Sequence, residues 1–396
     1  MKETKFRNTE IGMIPEEWKM YSIGKDCSVK ARIGWQGLTT SEYLQTGDYG
    51  LITSTDLIEG KVNWNTCVFV SEERYKQDTN IIVKNGDVLV SKDGTIGKVA
   101  VVSNLQYPTT LNSGVFVIRT KNEKITQEGL GLVFVSPYFK DFIKRLTAGS
   151  TIVHLYQRDI VSFTFPIPTL PEQHRIASAL TGIDNLISSL DKLIEKKKNI
   201  KQGTMQQLLT GKIRLKGFDE PWVKSNLGEV CTVKRGVRVV KRNLTTDGLY
   251  PVYQNTNFPL GYSNQYNVEA NTPFVIIGGS AGQVGICRER YWAADDCAFF
   301  ACHDINKEYL YYVLLLHQSN ILHNVRTGTI PRLDRSFLSN MVVYISSNID
   351  EQQAIATILT KMDNEITALE AKRAKYEAIK QGMMQQLLTG KIRLIS

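Results

Sequence analysis

The sequence predicts an α+β protein in which two β-rich globular regions alternate with two long helices, so that the chain is an internal repeat. Three observations predict this architecture. A helical segment is written twice, apolar residues within it recur at heptad spacing, and the residues before each copy form short β-rich runs separated by turns.

The repeat is clearest in a fifteen-residue segment. Residues 201–215 read KQGTMQQLLTGKIRL and residues 380–394 read KQGMMQQLLTGKIRL. At the same offset of 179 residues, the similarity extends back over 169–215 and 348–394, where 26 of 47 positions are identical. No third copy follows at this period, so the chain is a doublet and not a solenoid of stacked units.

Both repeated segments have the pattern of a coiled-coil helix. Apolar residues alternate at spacings of four and three, which places them on one seam. We predict that this helix seam consists of Ile176, Leu180, Ile183, Ile187 and Leu190 in the first copy and Ile355, Leu359, Met362, Ile366 and Leu369 in the second. The pattern continues to Ile194, but further on it places Lys197, Lys201, Arg373 and Lys380 at positions that should be apolar.

The helix ends carry capping signals. Thr169 with Glu172, and Asn348 with Glu351, have the spacing of a capping box, in which the glutamate caps back to the first residue. The two LLTGK sequences close with glycines that can take the left-handed conformation. Glycines also occur inside the helices, at 182, 203 and 382, where a close helix crossing or a local break would explain them equally well.

The regions before each helix predict strands and tight turns. GDVLVSKDGTIGKVAVV (86–102) predicts a hairpin, and SGVFVIRT (113–120) and TPFVIIGGSAGQVGICRE (272–289) predict further strands. The two regions share landmarks at an offset of 204 residues, including Trp18 with Trp222 and Cys27 with Cys231. The alternation of globular region and helix would continue if the end of the chain were joined to its start. We therefore predict that the two ends of the chain lie near each other.

Composition narrows the class of protein. The net charge of +9 favours a polyanionic partner without proving one. The start of the chain has no charged segment followed by an apolar run, and no apolar run reaches membrane-spanning length, so we expect a cytoplasmic protein without a signal peptide. Six scattered cysteines indicate reduced, buried thiols, and the Cys297, Cys302 and His303 cluster matches no zinc spacing, so we predict no metal site.

Catalytic motifs are not recognisable. We find no phosphate-binding loop, dinucleotide fingerprint, nucleophile elbow or HExxH motif, and no Asn-Pro-Pro tetrapeptide of the kind that amino-methyltransferases use. The sequence therefore predicts no catalytic residues.

Side chains suited to DNA binding occur on predicted turns. Five basic residues crowd into residues 234–242 with no acidic side chain between them, as expected of phosphate contacts. Side chains on the predicted hairpin turns could read base edges. A further stretch recurs: TAGSTIVHLYQRDI (147–160) and RTGTIPRLDRSFL (326–338) each combine a turn, an isoleucine and then a basic residue, Arg158 and Arg335 respectively, ahead of the long helix. The candidates are Lys92, Lys98, Arg158, Lys234, Arg235, Arg238, Lys241, Arg242, Gln283 and Arg335. Each could equally be an ordinary solvated side chain, and the recurring stretch could simply pack a strand against the core.

These features together resemble the specificity subunit of type I restriction-modification systems. The resemblance rests on the doubled KQG[TM]MQQLLTGKIRL, the helix starts EQHRIASALTGIDNLI and EQQAIATILTKMDNEI, GDVLVSKDGTIG and GSTIVHLYQRDI. It implies two target-recognition domains (1–168 and 216–347), each reading half of a bipartite, asymmetric site on double-stranded DNA. It also implies two conserved helical regions (169–215 and 348–396) that pack antiparallel, set the spacer and dock two methyltransferase subunits.

The resemblance implies further partners. Restriction and translocase subunits would join through the complex, with no membrane involved. No cofactor is expected on this chain, while S-adenosylmethionine, ATP and Mg are expected on partner subunits. Two alternatives are a stand-alone DNA-modifying enzyme and a coiled-coil scaffold that binds only proteins.

Overall fold

The structure is a computed structural model that describes residues 5–147, 154–240, 242 and 244–395. It divides into two compact units, each described by itself below. Unit 1 comprises residues 1–189 and 373–396, and unit 2 comprises residues 190–372. Each of the two long helices contributes one part to each unit, so unit 1 combines segments from both ends of the sequence.

Unit 1 contains thirteen strands and five short α-helices in the part of the chain that the structure describes. The strands are β1 Phe6–Thr9, β2 Gly12–Pro15, β3 Lys19–Ser22, β4 Cys27–Lys30, β5 Tyr49–Ile52, β6 Leu57–Ile58, β7 Lys61–Val62, β8 Val68–Val70, β9 Val88–Ser91, β10 Val99–Val101, β11 Thr109–Leu111, β12 Val115–Thr120 and β13 Thr164–Ile167. The helices are α1 Ile23–Asp26, α2 Glu72–Lys76, α3 Gln127–Val135, α4 Pro137–Thr147 and α5 Gln157–Ile160.

The first long helix, α6 Leu170–Leu208, begins in unit 1 and ends in unit 2. The strands of unit 2 are β14 Trp222–Asn226, β15 Cys231–Arg235, β16 Tyr250–Tyr253, β17 Gly261–Ser263, β18 Pro273–Ile276, β19 Val284–Ile286, β20 Trp292–Ala293, β21 Cys297–Cys302 and β22 Val342–Ser346. Its helices are α7 Leu227–Val230, α8 Lys307–Leu316, α9 Gln318–His323 and α10 Arg335–Asn340. The second long helix, α11 Ile349–Leu387, begins in unit 2 and ends in unit 1.

The two units share the topology of their main sheets, and unit 1 also contains the two-stranded sheets β1-β2 and β6-β7. Unit 1 has a four-stranded sheet in the order β10-β9-β12-β4, and unit 2 has the corresponding sheet β19-β18-β21-β15. A three-stranded sheet in each unit contains one parallel pair, β11 with β5 and β20 with β16. The strand just before each long helix pairs antiparallel with an early strand of its unit, β13 with β3 and β22 with β14. The predicted α+β repeat is confirmed.

The hairpin predicted at residues 86–102 is also confirmed. Strands β9 and β10 are antiparallel, with Val90 opposite Val99 and Val88 opposite Val101. Gly94 and Gly97 in the connecting turn have φ values of 68° and 74°, which favour glycine. An analogous hairpin joins β18 and β19, with Val275 opposite Val284.

The long helices contribute apolar side chains to the core of each unit. In unit 1, Ile176 and Leu180 near the start of α6 cluster with Leu387 and Leu388 at the end of α11. In unit 2, Met205 and Leu208 near the end of α6 share a core with Ile355 and Leu359 near the start of α11. Within each unit the two helices are therefore antiparallel. All ten predicted seam residues are buried or partly buried.

The basic residues on the seam are paired with carboxylates. The Lys380 ammonium lies 2.7 Å from Asp184, and Lys201 forms the equivalent ion pair with Asp363. Both pairs join one helix to the other. They are equivalent because Asp184 and Asp363, like Lys201 and Lys380, occupy the same positions of the two repeats. Lys197 also reaches Glu365 at 2.6 Å. The helix pairing thus continues past the apolar seam through ion pairs.

The helices end as predicted, and the start of α11 confirms one half of the predicted capping box, because the Asn348 side-chain oxygen accepts from the Glu351 amide at 3.0 Å. Gly211 and Gly390 have φ values of 68° and 70°, and the Ile213 and Ile392 amides donate to the carbonyls of Gln207 and Gln386, which closes each helix. The predicted capping-box role of the glutamates is wrong. Glu172 and Glu351 are buried and accept hydrogen bonds from distant tryptophan and arginine side chains instead.

Both explanations for the interior glycines are also wrong. A Cβ atom built on Gly182, Gly203 or Gly382 would meet no other atom within 4 Å, so no close crossing requires glycine there. The helices α6 and α11 continue through all three positions without a break. Among the described residues, no helix has the length and hydropathy that a bilayer crossing requires.

Candidate nucleic-acid interface

One end of the four-stranded sheet gathers the polar loops in each unit. In unit 1, β4 and β9 end where β12 and β10 begin, because neighbouring strands are antiparallel. In unit 2, β15 and β18 end beside the starts of β21 and β19. We call this region the loop end of the sheet. Two strand ends and two strand starts therefore lie at this end of the sheet in each unit.

At the loop end of unit 1, the β9–β10 turn is held by two backbone hydrogen bonds. The Lys92 amide donates to the Gly114 carbonyl at 2.9 Å, and the Leu155 amide donates to the Lys92 carbonyl at 2.8 Å. The second bond joins the turn to the recurring stretch that precedes α5. Next to it, the Nδ1 atom of His154 forms a hydrogen bond with the Asp93 carboxylate.

The loop end of unit 2 repeats these bonds. The Ile277 amide donates to the Asp296 carbonyl at 2.8 Å, and the Leu333 amide donates to the Ile277 carbonyl at 3.0 Å. The guanidinium of Arg332 lies 3.4 Å from the Asp296 carboxylate. The described residues of the recurring stretch therefore bond to the hairpin turn in both units. Residues 148–153 of the stretch lie outside the part of the chain that the structure describes.

Three predicted DNA-binding residues lie in unit 1. Lys92 and Lys98 flank the β9–β10 turn, and the Lys92 ammonium lies 5.3 Å from the centre of the Phe116 ring. Arg158 is on α5, where its side chain is 80% exposed and its guanidinium lies 4.8 Å from the Tyr156 ring centre. Lys92 and Lys98 are thus at the loop end, whereas Arg158 extends from the short helix that follows it.

The basic segment of unit 2 continues from the end of β15. Lys234, Arg235, Arg238 and Arg242 are exposed, and the Arg235 Nε donates to the Asp295 carbonyl at 2.7 Å. This bond places the segment beside the start of β21, at the same loop end as Arg332. Lys241 lies outside the described residues.

Gln283 and Arg335 take different positions in unit 2. Gln283 is partly buried just before β19, and its side-chain oxygen accepts from the Asn257 amide at 3.4 Å. Arg335 is exposed at the first residue of α10. Gln283 therefore joins the hairpin turn to a neighbouring loop, while Arg335 extends from the short helix.

Sequence reasoning missed His154, Asp93, Arg332 and Asp296. The recurring stretches were matched on Arg158 and Arg335, but the backbone bonds match Leu155 with Leu333. This register aligns His154 with Arg332 and places Arg158 opposite a serine. One sequence signal could have revealed this match. Both stretches contain Thr-Ile, then one variable residue, then a basic or imidazole side chain and a leucine.

A hydrogen-bonded triad of one tryptophan, one glutamate and one arginine side chain occurs in both units. In unit 1, the Trp18 indole donates to Glu172 at 3.2 Å, and Arg393 donates to both oxygens of Glu172 at 2.7 and 2.8 Å. In unit 2, Trp222 donates to Glu351 at 3.2 Å, and Arg214 donates at 2.7 and 3.0 Å. The scaffold is thus repeated at atomic detail, while the loop ends differ.

The triad of unit 1 also brings the two ends of the sequence together. Arg393 pairs with Glu17 at 3.0 Å, and a Cβ atom at Gly390 would lie 2.3 Å from the Pro15 side chain. The prediction that the chain ends meet is confirmed for these residues, which stand near the two termini.

Three of the cysteines are poorly suited to nucleophilic chemistry. All six are free thiols, and burial raises the pKa of Cys27, Cys67 and Cys231 to about 12. A thiol with so high a pKa stays protonated near neutral pH and is a weak nucleophile. Within the described parts of the chain, no three His, Cys, Asp or Glu side chains are grouped as metal ligands.

Comparisons with known proteins match both halves of the chain and its fold. A family model described as the type I restriction modification DNA specificity domain matches residues 15–202 and again 219–381. The chain is 23% identical to the putative type I restriction enzyme MjaX specificity subunit of Methanocaldococcus jannaschii, over 99% of this chain and 98% of that protein. It is 28% identical to the MjaVIII specificity subunit of the same organism, over 54% of this chain and only 50% of that protein.

The crystal structure of a type I restriction-modification S subunit from M. genitalium has the same fold. It superposes with a TM-score of 0.67 at 16% identity and covers 93% of this chain and 96% of that one. Two matches to the family model, on two units that share the topology of their main sheets, account for most of the sequence. The chain belongs to the type I restriction-modification DNA specificity family.

Proposed function

We propose that this chain is the DNA-recognition subunit of a type I restriction-modification complex. The loop end of each unit reads one half of a bipartite site on double-stranded DNA. Exposed basic side chains such as Lys234 and Arg238 contact phosphates, and side chains on the hairpin turns contact base edges in the groove. The net charge of +9 supports a polyanionic partner.

The observation that carries this proposal is the contrast between a repeated scaffold and diverged loop ends. The Trp18–Glu172–Arg393 triad and its copy around Glu351 have nearly the same distances. The loop ends, in contrast, carry different side chains at equivalent backbone positions. Such a molecule offers two similar docking surfaces and two different reading surfaces, which suits an asymmetric site.

The long helices have two roles in this proposal. They set the length of the unread spacer between the half-sites, and they dock two methyltransferase subunits. Each helix has 39 residues, which corresponds to roughly 58 Å at ~1.5 Å per residue. The functional boundaries are those expected from the sequence: recognition domains at 1–168 and 216–347, and helical regions at 169–215 and 348–396.

The chain has no active site of its own in this proposal. Its buried thiols and the lack of recognisable catalytic motifs in the sequence support this view. Methyl transfer and cleavage belong to partner subunits, which bind S-adenosylmethionine, ATP and Mg. Restriction and translocase subunits join through the methyltransferase complex.

Two assays test the proposal. A randomised duplex pool is selected with the chain and its methyltransferase partner, and one bipartite motif is expected. Methyl transfer is then measured with the purified chain alone, where we expect none. Activity without a partner would favour a stand-alone modifying enzyme, and selection without any sequence enrichment would favour a protein-binding scaffold.

A further inference from the structure

Both units place an exposed nitrogen-bearing side chain at the same backbone position. His154 precedes Leu155, whose amide donates to the carbonyl of Lys92, just after β9. Arg332 precedes Leu333, whose amide donates to the carbonyl of Ile277, just after β18. Isolated bridges join His154 to Asp93 and Arg332 to Gly278, which confirms that the two positions are equivalent. His154 and Arg332 therefore occupy the same place at the loop end of each unit.

A carboxylate accompanies each of these side chains, but it comes from different strands. In unit 1 it belongs to Asp93, on the turn after β9, and the neighbouring position before β12 is Gly114. In unit 2 the turn position is Gly278, and the carboxylate belongs to Asp296 before β21. Aspartate and glycine have exchanged places between the two units.

The space at the site explains the exchange. A Cβ atom at Gly114 would lie 3.3 Å from the Asp93 carboxylate, and one at Gly278 would lie 2.4 Å from the Asp296 carboxylate. Each glycine leaves room for the aspartate on the neighbouring strand. Both units therefore keep a carboxylate beside the nitrogen-bearing side chain, although the aspartate comes from a different position in each.

Stability does not account for keeping the pair. The His154 and Asp93 side chains are 37% and 43% exposed, and Arg332 is 57% exposed. Ion pairs at such exposure contribute little to folding. Their shared feature is instead a donor group held at a fixed point beside the hairpin turn, where DNA is contacted under the proposed function.

We propose that His154 and Arg332 are specificity-determining residues, each reading one base pair of its half-site, and that Asp93 and Asp296 position them. Arg332 donates to the O6 and N7 atoms of a guanine, the contact that a guanidinium makes in the major groove. His154 occupies the same position with a shorter side chain that ends in an imidazole ring, so the equivalent base pair of the first half-site is read differently. This inference rests on the proposed function and names residues that carry it.

The neighbours of His154 support a fixed orientation. The Tyr156 ring packs edge-on against the His154 ring with centres 4.6 Å apart. The guanidinium of Arg158 in turn lies over Tyr156 at 4.8 Å. A side chain restrained on one side by a carboxylate and on another by an aromatic ring presents its remaining nitrogen in a defined direction.

The test uses the complex of the full chain with its methyltransferase partner. Arg332→Gln, His154→Gln and the control Arg290→Gln are each selected against a duplex pool, and the enriched motifs are compared. Arg290 is a matched control, because its side chain is 49% exposed and lies 3.0 Å from Glu269, but it follows β19 at the other end of the sheet.

We expect Arg332→Gln to lose about 5- to 150-fold discrimination at one G·C pair of the second half-site and to keep the first half-site unchanged. His154→Gln should relax one position of the first half-site only. Arg290→Gln should leave both half-sites as in the wild type. Retention of the untouched half-site shows within each experiment that the variant has folded and assembled.

Uniform weakening on all sequences by Arg332→Gln, or an unaltered motif, would overturn the inference and leave the proposed function standing. A wild-type complex that enriches no motif would overturn both.

Discussion

Arg393 and Glu172 are 221 residues apart in the sequence, yet they form a two-point hydrogen-bonded pair with distances of 2.7 and 2.8 Å. The Arg393 side chain is 5% exposed and that of Glu172 is 1% exposed. Glu172 holds the pKa of the Arg393 guanidinium above its ordinary value. The last residues of the chain are therefore structural components of unit 1.

Replacing Arg393 should destabilise unit 1 selectively. Arg393→Ala leaves the buried Glu172 carboxylate without its cation, and we expect a loss of about 3 kcal/mol in unfolding free energy. Hydrogen exchange by mass spectrometry should show faster exchange in residues 5–147 and little change in unit 2. Arg175→Ala, which removes an exposed donor to the Leu394 carbonyl, is the control. Equal acceleration in both units would contradict the assignment.

The glycines of the repeated segment should respond in opposite directions to alanine. At Gly203 and Gly382 the added methyl group meets no atom within 4 Å, so alanine should stabilise each helix by roughly 0.5–1 kcal/mol. At Gly390, φ is 70° and the methyl group would lie 2.3 Å from Pro15, so alanine should destabilise by more than ~1 kcal/mol. Urea unfolding of the three single variants measures both signs, and a uniform sign would refute the local explanation.

The stability of unit 2 should depend on pH through His317. Burial lowers the pKa of this half-buried side chain below its ordinary value. The unfolded chain then takes up a proton before the folded chain as pH falls, so this contribution to stability is complete above about pH 6.5 and is lost as pH falls below it. Unfolding measured between pH 7 and pH 5 should show a shallower loss in His317→Gln than in the wild type. An identical slope would exclude His317 as the cause.

The exchange of aspartate and glycine between the loop ends predicts strong coupling between two positions. Gly278→Asp alone places a second carboxylate against Asp296 and should cost about 1–2 kcal/mol. Adding Asp296→Gly recreates the arrangement of unit 1 and should recover most of this loss. A double-mutant cycle from urea unfolding should give an interaction energy of about 1 kcal/mol or more. Additive effects would mean that the two positions do not share one space.

Lengthening both long helices should change the spacer and nothing else. A seven-residue insertion near Ile194 and another near Arg373 keep the heptad register and add about 10 Å to each helix, close to the length of three base pairs. Duplex selection with the methyltransferase complex should return a longer spacer between unaltered half-sites. The same insertion in one helix alone, which mismatches the pair, is the control. Altered half-site bases would contradict the proposal that the helices set the spacer length alone.

The sequence by itself was sufficient for the features that depend on local chemistry. Heptad spacing marked the seam, glycine after LLT marked both helix ends, and DGTIG marked a hairpin, since each signal is contained within a few neighbouring residues. The repeat made the family recognisable, because duplication can be read without any knowledge of contacts.

Only the tertiary structure decided which distant groups meet. The partners of Glu172 lie 154 and 221 residues away, so no local pattern could distinguish this carboxylate from a capping residue. The match of His154 with Arg332 likewise depends on backbone hydrogen bonds to a separate hairpin, while sequence comparison favoured the wrong pair of arginines. Local pattern determines which elements form, but long-range packing determines the side chains that share a site.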